Sequence, residues 1–196
     1  MTTPLAAKIA RDYGTPVAVI DMDRVERNIA RIQAACDAAG VANRPHIKTH
    51  KSPMLARLQI AAGAKGITCQ KLGEAEVMAE AGIDDILISY NLIGDEKMAR
   101  LAALQAKASM TVAADNSVVI AGLTYAAALS GRPLSVVVEC DTGRKRAGVE
   151  TPAVSQAAWM RAMLRSTLSM SITAQGVPYS RATLAARGVV IDVAPD

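Results

Sequence analysis

The stretch Arg44-Pro45-His46-Ile47-Lys48-Thr49-His50-Lys51-Ser52-Pro53 places a lysine where a short strand gives way to a helix. Pro45 marks the start of the strand, because proline cannot donate a hydrogen bond inside a ladder. Ser52 followed by Pro53 is typical of an N-cap and a first helical position. Lys48 is therefore predicted at the carboxyl end of a strand, the edge at which α/β barrels carry their active sites. A desolvated lysine there is a candidate for Schiff-base chemistry, whereas the alternative is an ordinary surface lysine.

Short apolar runs alternate with helical patterns on both sides of this stretch. The β-branched run Val17–Ile20 comes first and favours a strand, and the helix after it ends at Gly40. The Lys48 strand is followed by four more predicted strands, Gly66–Gln70, Ile86–Ser89, Met110–Ala113 and Leu134–Cys140. The predicted helices between these strands are Met54–Ala62, Glu74–Ala81, Asp95–Ala106 and Val118–Leu129. This alternation predicts parallel strands with right-handed crossovers, in an eight-fold (β/α)8 barrel rather than a doubly wound sheet.

The strand count and the last part of the chain do not fit a complete barrel. About five barrel strands are recognisable, where a barrel needs eight. Residues 151–191 contain no Asp or Glu, although four arginines remain there. We expect residues 1–150 to form the N-terminal part of a barrel and 151–196 to be an atypical segment. Within that segment, Trp159–Leu164 favours the continuation of a helix and Val189–Val193 favours a strand. A variable loop region and a truncated or frame-shifted product are the two interpretations, and the coding DNA in all three frames distinguishes them.

Composition excludes several classes of protein. The net charge of +4 is mild and scattered, and only four Tyr and one Trp could stack on bases, so nucleic-acid binding is not expected. No apolar run approaches the roughly 18 residues of a membrane helix, and the N-terminus does not resemble a secretion signal. The three cysteines are widely spaced without a CxxC pair, which fits free thiols in the cytoplasm.

Polar residues follow the predicted strands at one edge of the barrel. Lys48 and Gln70 come at the ends of the first two barrel strands. The corresponding residues of the later strands are Ser89, Tyr90, Asn91, Asp115, Asn116, Glu139, Asp141 and Thr142. Side chains at the carboxyl ends of successive parallel strands line a common mouth, which is a suitable place for a polar cofactor. Asp115-Asn116-Ser117 by itself is typical of a helix N-cap.

Four motifs in this order resemble a known family. Thr15–Asp23 resembles the entry segment of the alanine-racemase-like, fold-type III pyridoxal 5'-phosphate (PLP) enzymes. Arg44–Lys51 is similar to the PLP-lysine motif of the D-threonine aldolase and D-serine dehydratase branch of that family. Cys69–Glu76 and Glu139–Val149 resemble the next two signatures of the branch. The resemblance covers roughly residues 13–152 and implies an alanine-racemase-type barrel that is incomplete in this chain.

The resemblance implies roles for three residues. Lys48 matches the lysine that forms the Schiff base with PLP, and Gln70 matches a cofactor contact. Arg146 matches an active-site arginine near the PLP phenolate or the substrate carboxylate. Arg144 and Lys145 receive no role, and His46 is interpreted as a structural histidine. The family also suggests a small amino-acid substrate and a homodimer.

The implied function is a PLP-dependent lyase that acts on D-β-hydroxy amino acids. A D-threonine aldolase cleaves the Cα–Cβ bond and gives glycine and an aldehyde, whereas D-serine dehydration and racemisation are the alternatives within enzymes. A non-catalytic PLP-binding protein and an inactive fragment are the alternatives outside them. The family members use a divalent metal whose ligands include a downstream histidine. This chain has only His46 and His50, so its metal ligands are not found.

Overall fold

The computed structural model describes residues 4–141, 143, 145–149 and 169–171. The chain divides into two compact units, the first ending at Val41 and the second beginning at Ala42. Among the helices described, none is long and apolar enough to cross a membrane.

The first unit contains two helices, α1 (Pro4–Tyr13) and α2 (Met22–Ala38). Helix α2 is the helix predicted after the first apolar run, and the Asp21 carboxylate caps it by accepting a hydrogen bond of 3.0 Å from the Arg24 amide. The periodicity does not predict α1. The predicted strand at Val17–Ile20 is wrong, because this segment lies between two helices and the described residues of its own unit contain no strand to pair with.

The second unit follows the predicted alternation closely. Its strands are β1 (Ile67–Cys69), β2 (Asp85–Ile88), β3 (Ser109–Ala114), β4 (Ser135–Val138) and β5 (Ser169–Ser171). Its helices are α3 (Pro53–Ala61), α4 (Leu72–Glu80), α5 (Asp95–Leu104) and α6 (Ser117–Ser130). All neighbouring strands pair in parallel, in the order β1-β2-β3-β4-β5. The described sheet never reverses its order, as a doubly wound sheet does at its switch point.

The strand predicted to carry Lys48 is reduced to a single bridge. His46 pairs in parallel with Thr68, through hydrogen bonds from the Ile47 amide to the Thr68 carbonyl (2.9 Å) and from the Thr68 amide to the Pro45 carbonyl (2.8 Å). The ladder cannot extend, because Pro45 has no N–H and a turn begins directly after His46. Lys48 lies in that turn, which still leaves it at the carboxyl end of the sheet.

The core of the second unit lies where the strands meet the helices. The alternating strand residues Ile86 and Ile88 of β2 are fully buried, as is Ile67 of β1. Leu101 of α5 and Leu123 of α6 are also fully buried. Each such side chain contributes about 1.5–3 kcal/mol by leaving water, so this core fixes the strand ends that carry the site.

The last described strand lies beyond the segment with the clear sequence pattern. β5 pairs in parallel with β4 from Ser135↔Ser169 to Val137↔Ser171. Its composition, Ser-Met-Ser, carries no strand signal, and the sequence does not predict it. The expected elements at Trp159–Leu164 and Val189–Val193 lie outside the described residues. The division of the chain near residue 150 stays a prediction.

Candidate active site

A cleft of about 570 Å³ opens at the carboxyl ends of the strands. It brings together the three residues assigned from the sequence, Lys48, Gln70 and Arg146. Tyr90 and Asn91, which follow β2, also line it. The Lys48 side chain is exposed, so the desolvated surroundings expected for this lysine are not present in the open cleft.

The lining of the cleft is strongly cationic. Besides the residues already named, its wall is formed by Lys71, Leu72, Gly73, Leu92, Lys97 and Arg100. Five of the lining residues are Lys or Arg, and none is Asp or Glu. Arg100 is paired with Glu76 and Glu96, and the other four cations suit a ligand with several negative charges. Lys71, Lys97 and Arg100 were not assigned a role from the sequence. Lys71 follows the end of β1, which could have indicated it, whereas Lys97 and Arg100 lie within α5 and carry no such signal.

Helix α4 begins at the floor of the cleft and is held there by Glu74. The Glu74 carboxylate accepts hydrogen bonds from the amides of Gln70 (2.9 Å) and Lys71 (3.3 Å), and it forms an ion pair with Lys51. Burial acts to raise the pKa of Glu74, but the hydrogen bonds from Lys51, Gln70 and Lys71 outweigh it and lower that pKa below its usual value. Glu74 therefore fixes the backbone that carries Gln70.

His46 stands behind Lys48 and Gln70. Its Nδ1 accepts a hydrogen bond from the Lys48 amide at 3.3 Å. Its Nε2 lies 3.3 Å from Oε1 of Gln70 and 3.4 Å from Oγ of Ser89. Ser89 also donates to the Cys69 carbonyl at 3.4 Å. The structure thus connects the ends of β1 and β2 with the lysine turn through one imidazole ring.

Asp115, at the end of β3, forms hydrogen bonds with two segments that contribute residues to the cleft lining. Its Oδ1 accepts a hydrogen bond of 2.7 Å from the Asn91 amide group, and its Oδ2 accepts one of 2.9 Å from the Gly148 amide. A Cβ at Gly148, whose φ is +101°, would lie 2.5 Å from the Asp141 nitrogen, so only glycine fits. Asp115 therefore ties the segment that contains Arg146 to the end of β2.

The pKa of Glu139, at the end of β4, is raised above its usual value. Burial raises its pKa, the nearby Asp115 carboxylate raises it further, and Arg146 opposes both effects. Its Oε2 is buried without a hydrogen-bond partner among the described residues, and so is Oδ1 of Asn91. These polar atoms are the kind that a bound ligand or water satisfies.

Several residues expected at the mouth lie outside the cleft lining. Ser89 and Asp115 act from behind it, and Asn116 caps α6 by accepting a hydrogen bond of 3.0 Å from the Val119 amide. His50 does not line the cleft, and its pKa is lowered by burial, against a raising effect of Gln59. Thr142 and Arg144 lie outside the described residues. Within the described part of the chain, no group of three or more His, Cys, Asp or Glu could hold a metal.

The family follows from a comparison with known proteins. The family model of the alanine racemase N-terminal domain matches residues 20–176, well over half of the chain. The chain belongs to this family. The predicted α/β barrel of alanine racemase type is thereby confirmed, and the described strands are part of that barrel.

Among its relatives in the family, the chain is similar to D-threonine aldolase from Arthrobacter sp, with 41% identity over 140 residues. It is 39% identical over 135 residues to D-threo-3-hydroxyaspartate dehydratase from Delftia sp.. The crystal structure of D-threonine aldolase from Filomicrobium marinum matches with a TM-score of 0.72 and 37% identity, over 81% of this chain and 44% of that one. The alignments cover 71% and 69% of this chain but only 37% and 36% of the two curated relatives.

Proposed function

We propose that this chain is the lysine-bearing part of a PLP-dependent lyase of the D-threonine aldolase type, which acts on D-β-hydroxy amino acids. The observation that supports it is the cleft itself. Lys48, Gln70 and Arg146 come from three separate sequence motifs, and all three line it. The similarity to D-threonine aldolase supports the same assignment.

The residues of the cleft fit PLP, a phosphorylated aldehyde. The cationic lining residues other than Arg100, which is paired with Glu76, suit its phosphate and a substrate carboxylate. Lys48 supplies the primary amine that would hold the aldehyde, and Gln70 and Arg146 would bind oxygen atoms of the cofactor or substrate. When bound, PLP acts as an electron sink that weakens the bonds to the substrate Cα.

Each of these residues would contribute in a different way. Lys48 would hold the cofactor covalently, and as a free amine it could accept or return a proton at the substrate Cα. Arg146 adds a fixed positive charge to the cleft lining, which would attract the PLP phenolate or the substrate carboxylate. No step is assigned to a divalent metal, because the described residues hold no suitable group of ligands.

A dehydratase is the second candidate, since the chain is nearly as similar to D-threo-3-hydroxyaspartate dehydratase as to the aldolase. The two activities differ in the bond that breaks. The aldolase breaks Cα–Cβ and releases glycine and an aldehyde, whereas the dehydratase removes the β-hydroxyl group and leads to a keto acid and ammonia. Product analysis with D-threonine and D-threo-3-hydroxyaspartate distinguishes them. We also propose a cytoplasmic homodimer, on family resemblance alone.

The first test is an absorbance titration of the purified chain with PLP, followed by borohydride reduction and peptide mass spectrometry. We expect a band near roughly 410–420 nm and a reduced adduct on Lys48, as a nucleophilic lysine requires. Lys48→Ala should abolish both. Lys65→Ala is the matched control, because this exposed lysine lies outside the cleft and should leave the band unchanged. A wild-type chain that forms no band, or an adduct that persists in Lys48→Ala, would contradict the proposal.

A further inference from the structure

We infer that His46 is a positioning residue that orients the Gln70 amide so that its NH2 group faces the cleft as a hydrogen-bond donor beside Lys48. The oxygen that this donor would bind belongs to PLP, so the ligand part of the inference rests on the proposed function. The arrangement of His46 and Gln70 rests on the hydrogen bonds alone.

The Lys48 amide determines which nitrogen of His46 carries hydrogen. A backbone N–H can only donate, and this one donates to Nδ1 of His46 at 3.3 Å. Nδ1 is therefore the acceptor nitrogen of a neutral ring. The single ring hydrogen must then be on Nε2, which makes Nε2 a donor.

The partners of Nε2 agree with this assignment. Ser89 uses its only hydroxyl hydrogen in the bond to the Cys69 carbonyl, so its Oγ is left to accept from Nε2 at 3.4 Å. Oε1 of Gln70, at 3.3 Å, is an acceptor only. The single hydrogen on Nε2 is therefore shared between the Gln70 and Ser89 oxygens, and neither of these atoms competes with it as a donor.

The orientation of the Gln70 amide follows. Its oxygen is directed to His46, so its nitrogen is the end left for the cleft, which Gln70 lines. The Gln70 backbone amide donates a hydrogen bond of 2.9 Å to the Glu74 carboxylate, which fixes the backbone at this position. The ring of His46 then determines the orientation of the Gln70 side-chain amide. An amide turned the other way would present an oxygen and repel an anionic ligand oxygen. The preferred ligand atom is therefore an acceptor such as the PLP phenolate or a carboxylate.

The first test measures the tautomer without any ligand. Long-range ¹H–¹⁵N NMR spectra of the full chain report which imidazole nitrogen is protonated, and His50→Leu assigns the signals because the chain has only two histidines. We expect His46 to be protonated at Nε2. Protonation at Nδ1, or at both nitrogens at pH 7.5, would overturn the arrangement, whether or not the chain binds PLP.

The second test measures PLP affinity by absorbance titration. His46→Leu should weaken PLP binding about tenfold, the loss of one hydrogen bond to a charged acceptor. His46→Gln, which keeps a donor nitrogen, should bind within about threefold of wild type. His50→Leu is the matched control, because Nδ1 of His50 accepts from the Ser52 amide (3.0 Å) in the same local geometry, but no hydrogen bond among the described residues joins its Nε2 to Gln70. It should leave the affinity unchanged.

A double variant separates positioning from a purely structural role. If His46 acts through Gln70, His46→Leu should add no loss of PLP affinity in a Gln70→Leu background. Equal melting temperatures of the variants show that each is folded. A full additional loss in the double variant, or wild-type affinity in His46→Leu, would overturn the inference. A wild-type chain that binds no PLP refutes the cofactor assignment, while the tautomer measurement still decides the His46–Gln70 arrangement.

Discussion

At the scale of single residues, the Glu74 carboxylate holds the backbone that carries Gln70 in the cleft lining. Its side chain is only 9% exposed, and it receives two backbone N–H groups as well as the Lys51 ammonium. The backbone bonds matter more than the ion pair, because Lys51 is 57% exposed and water screens its charge. The carboxylate acts as the acidic member of a capping box at the start of α4.

Glu74→Gln should lower the free energy of unfolding by about 1–2 kcal/mol at pH 7, the usual value for a lost charged cap. The pKa of Glu74 is depressed in the folded state, so its contribution is complete above the unfolded pKa and is lost as the pH falls through the folded value. The deficit of the variant should therefore shrink below about pH 4. Urea unfolding from pH 3 to pH 7 measures it.

The matched control is Glu80→Gln, which removes a carboxylate from the other end of the same helix. Glu80 is 66% exposed and pairs with Lys107, so its loss should change stability by less than about 0.5 kcal/mol. A deficit of Glu74→Gln that is equal at pH 3 and pH 7 would show that its charge is not the cause.

At the scale of elements, the approach of β1 to β2 depends on a glycine at the start of β1. A Cβ at Gly66 would lie 2.5 Å from the Asp85 carbonyl oxygen and 2.7 Å from Nη1 of Arg44. Arg44 and Asp85 form a two-pronged ion pair of 2.7 and 2.9 Å across this point. The segment that precedes Lys48 is thus held to the sheet by Arg44, two residues before the single bridge at His46.

Gly66→Ala should destabilise the chain by about 2–3 kcal/mol, because the added methyl group meets backbone that cannot move aside. Gly122→Ala in α6 is the control, since its Cβ would meet the flexible Met98 side chain at 3.1 Å and alanine favours a helix. We expect Gly122→Ala within about 1 kcal/mol of wild type. Thermal unfolding compares the two, and equal stabilities would contradict the close approach of β1 to β2.

At the scale of the whole molecule, the buried thiol of Cys69 reports on the folded core. Cys69 lies in β1 and is fully buried, whereas Cys36 in the first unit is partly exposed. Burial, together with the nearby Glu74 carboxylate and against the opposing effect of Lys51, raises the pKa of Cys69 to about 12. The thiolate that reacts with alkylating reagents is thus scarce as long as the sheet is formed.

We expect iodoacetamide at pH 8 to label Cys36 readily and to leave Cys69 unmodified until the chain unfolds. Peptide mass spectrometry across a urea series gives both extents of labelling, and the Cys69 midpoint should coincide with loss of far-UV circular dichroism. Native labelling of Cys69 at the rate of Cys36 would mean that the sheet is not stably folded. This result would favour the interpretation of the chain as an inactive fragment.

The sequence by itself determined the alternation of strands and helices, because hydrophobic periodicity and capping residues are local signals. It also supplied the candidate site residues, because Lys48, Gln70 and Arg146 lie in short motifs that resemble those of the family. Only the tertiary structure decided that Val17–Ile20 forms no strand and that Ser169–Ser171 does, since a strand depends on a neighbour with which to pair. The contacts of His46 likewise depend on the tertiary structure, because its Nε2 meets Gln70 and Ser89, residues that lie 24 and 43 positions away along the chain.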